Sequence, residues 1–464
     1  MKSWIKILVW TYLVLLLAEG ALRKWVAPSL SDPLLIVRDP VVIAIYVLAL
    51  ASGIFPTSRF IAAIGILAVL SVAGSLLGGH TNLVVLAYGL RINYLHLPLI
   101  WIMGRVLDRR DVERMGAFLL IMAIPMTLIM VQQFRAPMNA FINRGVGNDE
   151  VGQIFGADGR IRPPGLFSFI TGPQLFFPLC AAFFFDEIGG AKRLPWYLLI
   201  TSGLAIALAL PVSISRTVML GTAGVALVYL CALPFASARF SSLARPLLLL
   251  ALVGVGLSQL PVFREGSSVF KLRWDTAATD EGGTGNAWNT VMERTVSGFS
   301  NPYYFMREAP MLGHGIGTGS NVGARLTSGS VGFTLAEEEW GKVLLELGPV
   351  LGLAFILFRL ILSVWLGWLA WRDLRRNRNP LPILIFAATG LSVLQGQWGP
   401  PTVLGFAVIG SGMVLAALNP HPDRAGARPT RDPLVRASPD LHATAPLPAP
   451  SDRRPPVVLR PVQK

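Results

Sequence analysis

Charged residues and cysteines are both scarce in this chain of 464 residues. Asp, Glu, Lys and Arg make up 14% of it, whereas soluble domains carry about 25%, so an ordinary soluble domain is excluded. The two cysteines, Cys180 and Cys231, lie inside apolar runs, and the long hydrophilic segments have none. No disulfide framework is therefore expected. Apolar residues account for 53% of the chain and its mean hydropathy is +0.58, which predicts an all-α, polytopic bundle of transmembrane helices.

The chain is also poor in acidic residues, and its formal net charge is +14. In a soluble protein such a charge would indicate a nucleic-acid partner. In a membrane protein it has a simpler cause, because cytoplasmic loops collect Lys and Arg. We therefore expect contacts with membrane lipids and no nucleic-acid partner.

Runs of roughly 20 apolar residues are expected to cross a bilayer, and about twelve such runs are present. They lie near residues 4–20, 41–56, 60–77, 83–103, 115–132, 169–186, 195–211, 217–235, 246–260, 336–370, 381–396 and 401–419. The first run follows a basic start and precedes small residues, a pattern that also occurs in signal peptides. Because the whole chain is polytopic, we interpret it as a retained first span, with a cleaved signal as the alternative.

Alternation of basic connections predicts the orientation of the spans. If the N-terminus is cytoplasmic, every short inner connection is basic, and the short outer connections at 78–82 and 396–401 carry no Lys or Arg. The positive-inside rule then holds along the whole chain. Both termini are expected in the cytoplasm, and the long connections 21–40, 133–168 and 261–335 are expected outside.

Four regions follow from this map. Residues 1–260 are expected to hold nine spans with their outer loops, and 261–335 a large outer loop in which 286–299 has the pattern of a short amphipathic helix. Residues 336–419 are expected to hold the last three spans. Residues 420–464 are rich in Pro and Arg and have no aromatic residues, which is typical of a disordered tail.

Arg216 is the only charged residue between Leu194 and Phe235. A charge in an apolar run is costly, so one that persists is a candidate functional residue. On the map it lies at the outer junction of two spans, where Pro211 ends one helix and Ser213 or Ser215 can cap the next. A guanidinium at a helix start favours an anion. The alternative is an arginine that reaches the membrane interface or pairs with a buried carboxylate.

Arg91 is a second charge inside an apolar run, with His96 five residues later in the same span. An anion site and an ion pair with Glu19 or Asp39 are equally consistent with its position. The anion expected at the outer surface is a lipid-linked phosphate or pyrophosphate. An acidic solute in a secondary transporter is the rival.

Several segments together resemble the superfamily of O-antigen ligases and Wzy-type O-antigen polymerases. They are "GLRINYLHLPLIW" from Gly89, "GRIRPPGLFSFITGP" from Gly159, "SISRT" from Ser213, "APMLGHGIGTGS" from Ala309 and "WGKVLLELGPVLGL" from Trp340. The similarity covers residues 80–415 in order and hydropathy. The most specific elements are Ser-x-Ser-Arg and the Glu-x-Gly that follows the long loop.

The resemblance implies a metal-independent, inverting glycosyltransferase of the GT-C type in the bacterial inner membrane. Its substrate would be a polyprenyl-pyrophosphate-linked glycan, polymerised at the outer face without a cofactor, with a chain-length regulator and a flippase as candidate partners. Ligation of the glycan to a lipid or another acceptor is the alternative activity. Arginines would stabilise the pyrophosphate leaving group, and the candidates are Arg91, Arg162, Arg216 and Arg294.

Two segments of the sequence offer candidates for the general base. Ligase-like members carry His-Asn about nine residues before Glu-x-Gly, and here those positions hold Glu337 and Glu338. Glu338, with Glu339 beside it, is the first candidate for the base that takes the proton from the hydroxyl group of the acceptor glycan. Their simpler role is to stabilise a helix N-terminus. His314, in a glycine-rich loop, is the second candidate, and a local hydrogen bond is its simpler role.

Overall fold

The computed structural model describes residues 1–148, 153–191, 193–236, 258–280, 302–328 and 338–420, together with 254, 256, 335 and 336. The N-terminal half begins with α1 and ends with α10, with a small β-hairpin between α7 and α8. Its helices are α1 Lys2–Ala21, α2 Ser31–Leu34, α3 Asp39–Ala51, α4 Arg59–Leu77, α5 Leu83–Leu90, α6 Leu99–Val106, α7 Arg109–Arg135, α8 Thr171–Asp186, α9 Trp196–Val212 and α10 Arg216–Ala232. The hairpin pairs β1 Phe155–Ala157 with β2 Arg160–Ile161 in antiparallel fashion.

The remaining described helices lie after residue 260. They are α11 Pro261–Asp280, α12 Pro302–Glu308, α13 Asn321–Ser328, α14 Glu339–Asn377, α15 Leu381–Gln395 and α16 Pro401–Ala417. Short π-helical segments extend α1 over Leu22–Val26, α5 over Arg91–Leu95 and α8 over Glu187–Ala191.

Seven helical segments of the described part are long and apolar enough to cross a membrane: Lys2–Val26, Pro28–Ala51, Arg59–Leu77, Leu83–Val106, Arg109–Arg135, Arg216–Phe235 and Glu339–Asn377. Three shorter apolar helices are α9, α15 and α16. The prediction of a helical membrane protein is confirmed, whereas the count of about twelve spans is not. The run near 246–260 lies mostly outside the described residues.

Helix α16 is the centre of the bundle, because all but one of its residues are buried. It packs against α6, α8 and α15. Its glycines permit this close packing: a Cβ at Gly412 would lie 2.4 Å from Met103 Sδ, and one at Gly410 would lie 2.4 Å from the Thr389 side chain. By contrast, α4 exposes apolar side chains such as Ile66, Val69 and Leu77, as expected for a lipid-facing helix.

One connection and one apolar run differ from the sequence prediction. Residues 21–40, predicted as a long connection between spans, are largely helical, with buried charges at Arg23, Lys24 and Arg38. The run expected at 336–370 is a helix from Glu339 to Asn377 that is broken at Gly348, where φ is +77°. Within the predicted loop 261–335, the described parts contain α11, α12 and α13. The helix expected at 286–299 and the tail beyond Pro420 lie outside the described residues.

Candidate functional site

Three arginines line one small pocket beside the start of α10. The pocket has a volume of about 90 Å³ and is lined by Arg162, Gln174, Ile214, Ser215, Arg216, Thr217 and Arg273. Arg162 follows the β-hairpin, Arg216 begins α10 and Arg273 lies on α11. Three segments that are distant in the sequence therefore each bring one guanidinium-bearing residue to the same place. We call this cavity the arginine pocket.

The turn between α9 and α10 places Arg216 at the pocket. Ile214 has a φ of +47°, a left-handed conformation that is unusual for a β-branched residue. Ser213 Oγ donates to Leu210 O at 2.8 Å and accepts from Ser215 N at 3.3 Å. Ser215 is the N-cap residue of α10, one of the two predicted positions, but its side chain makes no hydrogen bond to the first turn. Gln174 Nε2 instead donates to Ser215 Oγ at 3.2 Å.

The hairpin positions Arg162. Its turn residues Asp158 and Gly159 both have positive φ, 51° and 68°, as a tight hairpin turn requires. Arg162 N continues the pairing by donating to Ile154 O at 2.9 Å. The neighbouring Arg160 pairs with Glu265 of α11 and lies 4.3 Å from the centroid of the Phe134 ring. The hairpin is thus tied to both α7 and α11.

Arg273 reaches the pocket because α11 packs along the end of α9. Val262 and Val269 are buried on α11, and a Cβ at Gly266 would meet the Pro211 backbone carbon at 3.4 Å. Residues 262, 266, 269 and 273 follow the i, i+4, i+7, i+11 pattern of one helix face. Arg273 continues this face at the pocket. Arg273 is not among the site residues that the sequence predicts, although this spacing could indicate it.

Clustered guanidinium groups are suited to oxyanions. Each presents planar N–H donors that match phosphate oxygens in pairs, and their positive charges favour an anion of more than one charge. The sequence predicted Arg162 and Arg216 as parts of one site, and the structure brings these two residues together. The predicted Arg294 lies outside the described residues.

Arg91 lies in a different cluster. Arg91 Nε is 2.5 Å from Asp39 Oδ2, and Arg91 Nη2 donates to Leu35 O at 2.6 Å. Asp39 Oδ1 is also 3.0 Å from His96 Nε2, and His96 Nδ1 is 2.9 Å from the Tyr12 hydroxyl. Arg91 is only 7% exposed and is not among the residues that line the arginine pocket. Of the two alternatives for Arg91, the structure favours the ion pair, with Asp39 as partner.

Two buried cations support the segment that carries Arg162. Lys24 Nζ donates to Gly165 O at 2.8 Å. Arg23 Nη1 donates to Ser168 Oγ at 3.3 Å and Arg23 Nε donates to Ser31 O at 2.9 Å. Lys24 and Arg23 thus hold the segment just after Arg162.

His314 is exposed, in the glycine loop formed by residues 313–320. Its backbone N–H donates to Leu345 O at 2.8 Å, and Gly315 N donates to Glu346 O at 3.0 Å. Glu346 Oε1 accepts from Gly319 N at 2.8 Å. The Glu-x-Gly element therefore anchors the glycine loop. Because α14 is broken at Gly348, the carbonyl groups of Leu345 and Glu346 can accept hydrogen bonds from the loop.

The two described glutamates at the start of α14 differ in their surroundings. Glu339 is 4% exposed, with Arg359 Nη1 2.8 Å from Oε1 and Lys342 Nζ 2.7 Å from Oε2. Arg359 also lies 3.8 Å from the centroid of the Trp398 ring. Glu338, the N-cap residue, is half-buried. Because both oxygens of Glu339 face cations, Glu338 is the better candidate base. Glu337 lies outside the described residues.

Comparisons with known proteins add no family assignment. No protein-family model, no curated protein and no solved structure matches this chain. The arginine pocket and the resemblance of the sequence segments are consequently the features that bear on function.

Proposed function

We propose that this chain is a membrane glycosyltransferase that polymerises polyprenyl-pyrophosphate-linked polysaccharide repeat units at the outer face of the bacterial inner membrane. The observation that carries the proposal is the arginine pocket, in which Arg162, Arg216 and Arg273 meet beside the start of a membrane helix. A pyrophosphate that is attached to a lipid would reach such a pocket from the bilayer. The proposal retains the orientation in which both termini are cytoplasmic and the span count of about twelve.

The proposed reaction is a single inverting displacement. An acceptor hydroxyl oxygen attacks the anomeric carbon of the lipid-linked glycan, and the bond from that carbon to the pyrophosphate oxygen breaks. The hydroxyl proton goes to Glu338, with His314 as the alternative base, and the electron pair leaves with the polyprenyl pyrophosphate. The three arginines stabilise the negative charge that grows on the leaving group, an effect that is strongest when the donors are preorganised.

The position of the pocket favours an enzyme over a transporter. Substrate sites of secondary transporters lie near the bilayer midplane, between broken helices. The arginine pocket lies where α9 ends and α10 begins, next to the hairpin and α11. This is the arrangement expected for a substrate whose reacting group stays at the membrane surface.

The test is a comparison of two assays on purified protein. Incubation with a polyprenyl-pyrophosphate-linked oligosaccharide in detergent or nanodiscs is expected to lengthen the glycan and release polyprenyl pyrophosphate. The same protein in sealed vesicles is expected to take up no labelled acidic sugar or phosphate. Transfer only to a lipid acceptor would identify a ligase, and uptake without transfer would overturn the enzyme assignment.

A further inference from the structure

A second cavity lies between the glycine loop and the connection from α4 to α5. Its volume is about 220 Å³, and it is lined by Gly79, His80, Thr81, Asn82, Val85, Leu86, Gly315, Ile316 and Thr318. None of these residues is an arginine, a lysine or a carboxylate, in contrast to the arginine pocket. We call this cavity the glycine-loop pocket.

The walls of the glycine-loop pocket are fixed by buried contacts. Ile316 N donates to Ser75 Oγ of α4 at 2.9 Å, and Glu346 holds the far side of the loop through Gly319 N. The loop also packs directly on α5, since a Cβ at Gly317 would lie 2.4 Å from Val85 O. A pocket held on both sides in this way is already formed before a ligand arrives, which lowers the entropic cost of binding.

The polar groups of the pocket suit hydroxyls. The His80 side chain is half-buried and forms no hydrogen bond with the described residues. Thr318 Oγ1 donates to Gly315 O at 2.7 Å, so its hydroxyl proton is engaged within the loop. Asn82 Oδ1 caps α5 by accepting from Val84 N at 3.1 Å, which leaves its NH₂ group as a donor. Sugar hydroxyls donate and accept at once, so they match a mixed set of neutral donors and acceptors better than an anion would.

The size of the pocket limits what fits. Cavities for drug-sized ligands measure about 300–1,000 Å³, and this one, at about 220 Å³, is smaller. Val85 and Leu86 add an apolar wall of the kind that contacts the C–H face of a sugar ring. One sugar unit therefore fits its size and chemistry better than an oligosaccharide or an acyl chain.

A chain of contacts links the segments that carry the two pockets. Arg325 of α13, which follows the glycine loop, pairs with Asp32 at 3.1 Å. Asp32 lies beside Ser31, whose carbonyl accepts from Arg23, and the adjacent Lys24 contacts Gly165 in the segment of Arg162. The segments that carry the two pockets are therefore linked through Arg325, Asp32 and residues 23–24.

We propose that the glycine-loop pocket binds a neutral sugar unit of the acceptor chain. This assignment rests on the proposed function, because a polymerase must hold an acceptor glycan as well as the lipid-linked donor. His80, Thr81 and Asn82 would bind its hydroxyl groups.

Binding can be tested without catalysis. The probes are methyl glycosides of glucose, galactose, mannose and rhamnose, added to the full-length protein in nanodiscs and observed by saturation-transfer NMR. We expect at least one glycoside to bind, and His80→Ala and Thr81→Val each to weaken it by about fivefold, the loss expected for one hydrogen bond. Thr201→Val is the matched control, since the Thr201 hydroxyl donates to Tyr197 O within its own helix and lies outside both pockets. Absence of saturation transfer from all four glycosides, or binding that neither pocket variant weakens, would overturn the proposal.

Steady-state kinetics then distinguish an acceptor-binding site from a donor-binding site. His80→Ala and Thr81→Val are expected to raise the KM for the acceptor glycan by about fivefold and to leave the KM for the lipid-linked donor unchanged, as loss of uniform binding predicts. A rise in the donor KM alone would overturn the acceptor assignment. Failure of the proposed function would look different, because His80-dependent glycoside binding would persist in a protein that extends no glycan.

Discussion

The guanidinium of Arg359 lies 2.8 Å from the carboxylate of Glu339, and neither side chain reaches solvent. Arg359 also donates to Val393 O at 2.9 Å and to Gly396 O at 2.7 Å. One buried arginine therefore joins the start of α14 to the end of α15. This arrangement makes Glu339 a packing residue and distinguishes it from the adjacent Glu338.

Glu339→Gln is expected to destabilise the protein, because it leaves the positive charge of Arg359 buried with Lys342 as a like-charged neighbour. Breaking a buried ion pair typically costs about 3–5 kcal/mol. Glu338→Gln is the matched control, since Glu338 is half-buried, and it is expected to unfold at the wild-type temperature while losing glycan transfer. Thermal unfolding in detergent and the transfer assay measure the two effects. Equal stability of the two variants would contradict the packing role of Glu339.

Gly348→Ala is expected to release the glycine loop from α14. Gly348 has a φ of +77°, and a Cβ there would lie 2.3 Å from Met311 O. The substitution is therefore strained both by its backbone conformation and by the contact. Gly224→Ala is the control: Gly224 lies within α10 with open space around its Cβ position, so alanine is expected to stabilise by up to about 1 kcal/mol.

Limited proteolysis measures the outcome for the loop. Cleavage within residues 309–320 is expected to be faster in Gly348→Ala than in the wild type and unchanged in Gly224→Ala. A Gly348→Ala protein with wild-type cleavage and stability would show that the break in α14 does not hold the loop.

The sequence predicts much of the bundle because apolar runs of membrane length are a strong signal. The same signal does not predict the helical character of residues 21–40, since their charges resemble those of a loop. Of these charges, Lys24 and Arg23 are buried where they bind carbonyl and hydroxyl groups of the segment after Arg162. Such partners are more than 100 residues apart and become visible only in the folded chain.

The candidate site was predictable in part for a similar reason. Arg216 is conspicuous because its neighbours are apolar, and Arg162 belongs to a segment that resembles a known family. Arg91 is equally conspicuous, and the sequence offered Glu19 or Asp39 as its partner. Which of the two carboxylates faces Arg91 depends on how the helices are oriented about their axes, and in the structure Asp39 is the partner. Arg273 lay in a long hydrophilic segment, where the helical period of Val262, Gly266 and Val269 was the one available signal.

The predicted orientation of the membrane helices can be tested with single cysteines. Cys231 is exposed and must first be replaced, as in Cys231→Ser, whereas Cys180 is buried. Tyr304→Cys is expected to react with an impermeant maleimide in intact spheroplasts, because residue 304 is exposed in the predicted outer region. Arg376→Cys, at the exposed end of α14, is expected to react only after lysis. The reverse pattern would place the arginine pocket on the cytoplasmic face and overturn the proposed substrate.

Arg273→Ala is expected to reduce glycan transfer by about 10²–10³-fold, the usual loss when one preorganised donor to transition-state charge is removed. Arg273→Lys is also expected to be poor, since an ammonium group does not reproduce the paired N–H donors of a guanidinium. The measurement is kcat for glycan extension at saturating donor, with thermal unfolding as a check on folding. Arg216→Ala is expected to behave in the same way, because both residues line the arginine pocket.

Arg264→Ala is the matched control for Arg273→Ala. Arg264 lies on the same helix, but its guanidinium is exposed and donates to Ser258 O at 2.7 Å and to Gln259 Oε1 at 3.1 Å. Since Arg264 does not line the arginine pocket, its removal should leave the transfer rate within about twofold, as expected for a screened surface charge. Equal losses in both variants would indicate a general effect of the positive charge of α11. Loss confined to Arg273→Ala would identify a specific contact with the pyrophosphate, and wild-type rates in Arg273→Ala would remove α11 from the mechanism.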